Sequence, residues 1–368
     1  MSKQKVVVGM SGGVDSSVAA YLLKEQGYDV IGVTMRVWQD EDACATGDNG
    51  GCCGLKAAED ARRVAALLEI PYYVLNFKDV FKKSVIDDFI SEYLNGNTPN
   101  PCIRCNRYVK WEALLSRGME IGADYIATGH YAQVKRLPAG RFAICKSVTD
   151  QKDQTYALYS LTQFQLAHTL MPIGAYHKEE VREIAKRAGL PVADKPDSQE
   201  ICFIPDHDHG AFLAQNADVP GGGNFVDKAG NVLGKHSGIY RYTIGQRKGL
   251  RLSLGAPMYV CEIRPDSNEV VLGTDEETYT DRVLCGNINY MAVNDFRNCP
   301  NMTAKIRYGS REYPCAVEYR NADRLICRFQ EKVRAAAPGQ AIVWYQGDRV
   351  LGGGIIERES YPDGRKDP

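Results

Sequence analysis

Twelve cysteines and one glycine-rich turn are the places where this 368-residue sequence could do chemistry. Cys145, Cys261, Cys285, Cys315 and Cys327 sit in strand-like apolar runs and read as small core hydrophobes. Cys52, Cys53, Cys102, Cys105 and Cys202 stand in polar, turn-rich surroundings instead. Cys102 and Cys105 form a C-x-x-C pair just after Asn97-Thr98-Pro99-Asn100-Pro101. The two prolines predict that helix begins only near Arg107, which puts both thiols at or just before a helix N-terminus. That position lowers a thiol pKa and favours the reactive thiolate. The N-terminus is polar, has no signal-peptide pattern and leads straight into a strand, so a cytoplasmic location is expected. Thiols in a reducing compartment are catalytic, metal-binding or buried more often than paired.

The turn is Ser11-Gly12-Gly13. Val6 to Val8 before it read as a buried parallel strand. After it, Val14, Val18, Tyr21 and Leu22 fall at helical spacing until Gly27. Strand, bare turn and helix together aim backbone N–H groups at an anion, usually a phosphate. No Lys follows the second Gly, so this is not the phosphate loop of phosphoryl-transfer NTPases, and it is not G-x-G-x-x-G. Ser11-Gly12-Gly13-Val14-Asp15-Ser16 resembles the PP-loop of the ATP pyrophosphatases. The resemblance implies ATP with Mg2+, cleavage between the α and β phosphates, AMP placed on a substrate oxygen, and pyrophosphate cradled by these six residues.

The elements around these residues suit them. Strands at 29–37, 72–77 and 124–131 alternate with helices at 55–69, 80–94 and 107–121, the pattern of a doubly wound parallel sheet. In such a sheet ligands bind beyond the carboxyl ends of the strands, where Ser11 to Ser16 fall. Residues 40–54 are acidic, Gly-rich and irregular, too polar for core, and carry Cys52 and Cys53. A further helix is predicted over 179–188, closed by Gly189 and Pro191. Near 205–223 the texture changes. Asp206-His207-Asp208-His209 reads as a polar linker rather than a metal cluster, and Gly221-Gly222-Gly223 marks a boundary. Short strands follow, at 304–308, 315–319, 325–329, 341–345 and 353–356, as in a small antiparallel barrel. The fold class expected is therefore α/β: a PP-loop domain over 1–206, a small central domain over 207–277, a C-terminal antiparallel β-barrel over 278–360, and a tail.

Net charge is −1, so no overall field points to a polyanion. Between Asp227 and Glu262, however, no acidic residue occurs, while Lys228, Lys235, Arg241, Arg247, Lys248 and Arg251 do. This stretch is a candidate polyanion-binding surface. No apolar run approaches the ~20 residues that span a bilayer, so no membrane partner is expected.

If the loop makes an adenylate, something must attack it. A thiol-rich site suggests sulfur replacing an oxygen that AMP has turned into a leaving group. Two thiols suffice: one holds a persulfide, and the other frees the sulfur by forming a disulfide with it. Residues 9–16, Asn100-Pro101 with Cys105-Asn106, Thr128-Gly129-His130-Tyr131, Lys152-Asp153-Gln154 and Ile201-Cys202-Phe203 together resemble the bacterial tRNA-specific 2-thiouridylases. Tyr242-Thr243-Ile244-Gly245-Gln246-Arg247 and Pro338-Gly339-Gln340 complete the resemblance over nearly the whole chain.

The resemblance implies ATP-dependent thiolation at C2 of the wobble uridine of tRNAs for Lys, Glu and Gln. It implies Cys105 as nucleophile, Cys202 as persulfide carrier, and Asp15 in catalysis. Gly9, Met10, Ser11, Gly12, Gly13, Val14, Asp15, Ser16, Met35 and Gly129 would contact ATP. Asn100, Pro101 and Cys102 would hold the target base. His130, Lys152, Asp153, Gln154, Arg307, Tyr308 and Gln340 would meet tRNA, with Arg247 and Lys248 added from the basic stretch. Partners are tRNA and a cysteine desulfurase or sulfur-carrier protein, and the chain is expected to act as a monomer. Many members of the family have Asp where this chain has Cys102. Cys102, Cys105 and Cys202 could therefore hold a [4Fe–4S] cluster, or zinc with Cys52 or Cys53 as fourth ligand. Rival readings are another PP-loop adenylating enzyme and a nucleotide- or metal-binding regulator without turnover.

Overall fold

The computed structural model describes residues 3–37, 55–196, 201–204, 206, 208–253, 255–321 and 323–358. The irregular 40–54 insert with Cys52 and Cys53, and the tail from 361, lie outside the described residues. The chain divides into two compact units. One comprises Met1–Ile86, Pro101–His207 and Asp348–Val350; the other comprises Asp87–Asn100, Asp208–Gly347 and Leu351–Pro368.

The first unit begins with β1 (Lys5–Gly9), α1 (Val14–Glu25), β2 (Asp29–Arg36), α2 (Leu55–Leu67), β3 (Tyr72–Asn76) and α3 (Lys78–Phe81). A π-helical stretch, Lys82–Ile86, follows α3. The second unit contains α4 (Asp87–Leu94). In the first unit again, α5 (Pro101–Arg104), a π-helical stretch Cys105–Leu114 and α6 (Leu115–Glu120) succeed one another. Then come β4 (Tyr125–Ala127), β5 (Ala132–Arg136), β6 (Phe142–Lys146), α7 (Gln163–Ala167), β7 (Thr169–Leu170) and α8 (Lys178–Arg187).

Five of these strands form a parallel sheet in the order β3-β2-β1-β4-β7. β1 lies at its centre, with Val6 opposite Val30 on one side and Tyr125 on the other. Val6, Val7 and Val8 are fully buried, as expected of a strand covered on both faces. α1 and α8 share one hydrophobic cluster through Val18, Ala19, Val181, Ile184 and Ala185.

The helix expected from 107 begins earlier, at Pro101. Proline is tolerated at the first helical position because that residue's N–H has no intrahelical partner to lose. Cys102 therefore stands in a first turn, and Cys105 opens the π-helical stretch rather than preceding a helix. The strand expected over 124–131 stops at Ala127.

In the second unit, α9 (His209–Asn216) starts where a linker was expected. The Asp208 carboxylate accepts from the Ala211 N–H at 2.8 Å and caps it. β8 (Gly223–Val226), β9 (Val232–His236), β10 (Tyr259–Arg264) and β11 (Glu269–Gly273) form a four-stranded sheet around Phe225, Val260, Val270 and Leu272. β12 (Tyr279–Tyr290), β13 (Thr303–Lys305), β14 (Tyr313–Tyr319), β15 (Leu325–Arg334), β16 (Ala341–Gln346) and β17 (Arg349–Ile356) follow. They run in the order β12-β15-β14-β13-β16-β17, and a β12–β17 pairing closes them into a barrel. Of the cysteines expected in cores, Cys145, Cys285, Cys315 and Cys327 are buried and Cys261 is half-buried. Burial pushes the Cys145 and Cys261 thiols up from their ordinary value, which keeps them protonated and inert.

Candidate active site

The glycine-rich turn leaves the carboxyl end of the central strand and enters α1. The backbone of the strand's end is tied down: Met10 N donates to Val33 O at 2.8 Å, and the Thr34 hydroxyl donates to Met10 O at 2.7 Å. Gly12 has φ +68°, and a Cβ there would lie 2.2 Å from the Ala57 carbonyl oxygen. Only glycine satisfies both conditions. Ser11 N donates to the Ser16 hydroxyl at 3.1 Å, and the Ser17 hydroxyl donates to Gly13 O at 2.8 Å. Gly13 is the N-cap of α1 and supplies no side-chain cap. The first-turn N–H groups are thus open to an anion. The Met35 side chain reaches within 3.7 Å of a Cβ position on Gly9, so both residues named for ATP adjoin the loop. Gly129 lies against the loop from outside, where its Cβ would meet Ser16 N at 2.5 Å.

Asp15, the second residue of α1, is held by three hydrogen bonds from two side chains. Lys178 Nζ donates to both carboxylate oxygens, at 2.7 and 2.9 Å, and the Tyr131 hydroxyl donates to Oδ1 at 2.8 Å. Tyr131 is itself fixed by Gln154: its N–H donates to Gln154 Oε1 at 2.9 Å, and Gln154 N donates back to Tyr131 O at 3.0 Å. A second lysine, Lys195, donates to Gly12 O at 2.9 Å and to Asp60 at 2.8 Å. Sequence reasoning missed Lys178, Lys195 and Asp60. Each is remote in the chain from the turn it serves, and no local pattern marks it.

Cys102 and Cys202 are exposed and Cys105 is half-buried. Next to Cys105, buried Asn106 donates to Ala157 O at 2.9 Å and accepts from Lys110 at 2.8 Å. Lys110 Nζ also approaches His130 Nε2 at 3.5 Å, and His130 Nδ1 lies 2.7 Å from the Thr128 hydroxyl. Asn106, Lys110, His130 and Thr128 form one polar chain below the cysteine helix, with the His130 ring tilted on Trp111. Desolvation, and then the Lys110 charge, hold the His130 imidazole well below its ordinary value, so it stays neutral. Folding then costs a proton site. The unfolded chain takes up this proton as pH falls below about 6.5 and the folded chain does not, so stability is full above that pH and declines below it. His130→Gln should flatten this decline, read as the change in urea midpoint between pH 7.5 and 5.

No group of three or more Cys, His, Asp and Glu side chains suited to a metal ion occurs among the described residues. Cys102, Cys105 and Cys202 as placed therefore do not form the donor set a cluster needs.

The residues named for RNA contact fall into two kinds. Arg247, Lys248, Arg307 and Tyr308 are exposed in loops. Arg247 and Arg251 line a cavity of about 320 Å³ with Leu250, Leu252 and Met258. Arg307 and Tyr308 lie in the turn after β13, beyond the short strand, and not in the strand expected over 304–308. Asp153, Gln154 and Gln340 already have partners inside the protein. Asp153 accepts from Thr155 at 2.6 Å and from Ser147 N at 3.3 Å. Gln340 donates to Thr98 O at 2.9 Å, and Thr98 N donates to Pro338 O at 2.7 Å. Lys152 ends a short 3-10 turn and is half-buried. Asn100 is half-buried and Pro101 buried at the start of α5.

A parallel sheet with a bare phosphate loop at the end of its central strand, followed by a β-sheet domain and a closed barrel, is the architecture of a PP-loop protein. Family models match as tRNA methyl transferase HUP domain over 4–206, tRNA methyl transferase PRC-barrel domain over 210–274, and aminomethyltransferase beta-barrel domain over 280–356. The tRNA-specific 2-thiouridylase MnmA of Lachnoclostridium phytofermentans is 60% identical over 96% of this chain and 99% of its own. That of Clostridium perfringens is 55% identical over 97% and 99%, and that of Clostridium kluyveri 55% over 96% and 99%. The chain belongs to the tRNA-specific 2-thiouridylase MnmA family, the tRNA-uridine 2-sulfurtransferases.

Proposed function

We propose that this protein thiolates C2 of the wobble uridine, position 34, in tRNAs for Lys, Glu and Gln. The observation that supports it best is the uncapped Gly12–Ser16 loop, built for a polyphosphate, in the same unit as Cys102, Cys105 and Cys202. A loop that binds pyrophosphate serves adenylation, and adenylation followed by thiol attack yields a thiocarbonyl. The thiols favour this outcome over the methyl transfer that the family models' descriptions carry.

In this reading Gly9 to Ser16, Met35 and Gly129 bind ATP, and the uridine O2 displaces pyrophosphate from its α phosphate. Asp15 is the acidic side chain in position to hold Mg2+, which would neutralise phosphate charge there. Asn100, Pro101 and Cys102 border the target base. A desulfurase or carrier protein loads Cys202 as a persulfide. Its terminal sulfur attacks C2, the O2 leaves with AMP, and a Cys202–S–S–C2 adduct forms. Cys105 thiolate then attacks the Cys202 sulfur; a Cys105–Cys202 disulfide forms and the C2 thiocarbonyl is released. An external thiol reduces the disulfide and resets the enzyme. The same reading divides the chain at 206/207 and 277/278 and takes it to act as a monomer. The test is incubation with ATP, tRNA, cysteine and a cysteine desulfurase. It should yield 2-thiouridine with AMP and pyrophosphate released; AMP without thiolated tRNA would point to another adenylating enzyme.

The tRNA surface includes exposed Arg247 and Lys248, with His130, Lys152, Asp153, Gln154, Arg307, Tyr308 and Gln340 as further contacts. Arg247→Glu with Lys248→Glu should weaken tRNA binding and lower the slope of log affinity against log salt by roughly one for each phosphate no longer neutralised. Filter binding across a salt series checks this, and an unchanged slope moves the surface elsewhere.

A further inference from the structure

We propose that Lys178 is the counter-charge that allows an acidic side chain to stand inside the phosphate loop, and so is a positioning residue of the nucleotide site. The proposal rests on reading that loop as an ATP site. Asp15 occupies the second position of α1, where the first-turn N–H groups and the helix dipole favour an anion. A carboxylate there is good for the empty helix and bad for a triphosphate, which it repels over a few ångströms. Lys178 cancels it. Its ammonium bonds both carboxylate oxygens, and Lys178 as a residue is only 8% exposed, so the pair forms where little water screens it.

The cation is held as firmly as the anion. Lys178 is the first residue of α8, whose start is fixed by His177 N donating to Glu180 at 2.6 Å. The body of α8 is buried in the cluster that also buries α1. From the other side the Tyr131 hydroxyl, locked by Gln154, sets the carboxylate's orientation. The Asp15 side chain remains 30% exposed, so one face still meets solvent and an arriving cation. Lys178 thus neutralises Asp15 while part of the carboxylate stays open to a cation.

This assigns Lys178 an effect on charge that a purely structural contact lacks, and a double variant exposes it. The probe is α,β-methylene-ATP, which cannot be cleaved at the scissile position, measured by calorimetry with and without Mg2+. Lys178→Met should weaken Mg2+-free binding by about tenfold or more, because it leaves an uncompensated carboxylate. The loss should be smaller with Mg2+ present. Lys178→Met combined with Asp15→Asn should return Mg2+-free affinity to within a few-fold of the unaltered protein. Lys178→Arg should bind nearly normally, and it carries the test if Lys178→Met does not fold. A double variant as weak as Lys178→Met alone overturns the proposal, as does Lys178→Met binding like the unaltered protein. Failure of the unaltered protein to bind the analogue overturns the ATP-site reading itself.

Discussion

Cys105→Ser should abolish 2-thiouridine formation, by about a thousandfold or more, while AMP release in the presence of tRNA stops at about one per persulfide-loaded enzyme. Serine matches the thiol in shape, and the anchor beside it, Asn106 bonded to Ala157 O and Lys110, is untouched. The helix should therefore keep its course, and the loss reports on sulfur chemistry alone. Cys202→Ser should cause an equal loss for another reason: no persulfide can be loaded, so mass spectrometry should find no sulfur adduct on the protein after desulfurase treatment. Cys102→Ser separates the remaining alternatives. Near-normal thiolation makes Cys102 a neighbour of the target base only, whereas a loss as deep as that of Cys105→Ser would make its thiol a participant in the sulfur transfer. Gel retardation of thiolated tRNA on a mercury-containing matrix measures all three. Full thiolation by both Cys105→Ser and Cys202→Ser would defeat the sulfur-transfer assignment.

Gly129→Ala is expected to cost about 2–4 kcal/mol of stability and most of the ATP affinity. A methyl at this position would sit 2.5 Å from Ser16 N and 2.6 Å from Asp15 C. Both are backbone atoms at the start of α1, so neither can swing aside as a side-chain tip would. The segment after β4 must move off the phosphate loop, and Tyr131, two residues on, would take its hydroxyl away from Asp15. Gly221→Ala is the control: nothing lies within 4 Å of its Cβ position, and the change should stay within about 0.5 kcal/mol. Urea unfolding and nucleotide titration report the two effects. A Gly129→Ala protein as stable as Gly221→Ala would mean that the loop and the β4 segment do not pack as described.

The parts of the fold that could be read from the sequence are those where one local signal decides. Val6 to Val8, Gly12 and the helical spacing from Val14 fix the phosphate loop within a dozen residues, and it lies where they put it. Five of the six barrel strands were legible for the same reason, since short alternating runs between turns have few other homes; the long β12, Tyr279–Tyr290, was not among them. The start of the cysteine helix was misplaced because Pro101 was read as a breaker, though at a first helical position it is compatible with helix. The π-helical stretches at Lys82–Ile86 and Cys105–Leu114 carry no periodicity that separates them from α-helix in a short window. The Asp208 cap was hidden inside a run of alternating Asp and His. Lys178 was out of reach for a different reason: its partner is 163 residues away in the chain, and only the packing of α8 against α1 brings the two together.

Closure of the barrel has its own consequence. When β17 pairs back to β12, the six strands close on one another and the two end strands protect each other's edges. Even so, β17 accepts one more neighbour, β6, through Arg349 opposite Cys145, and the sheet runs on to β5. The barrel's connecting turns, with Arg307 and Tyr308 among their exposed residues, stand outside that hydrogen-bonded wall. Those turns can lengthen, shorten or change residue while the hydrogen-bonded wall stays as it is. The wall is therefore the constant part of the barrel, and its turns are the part free to vary.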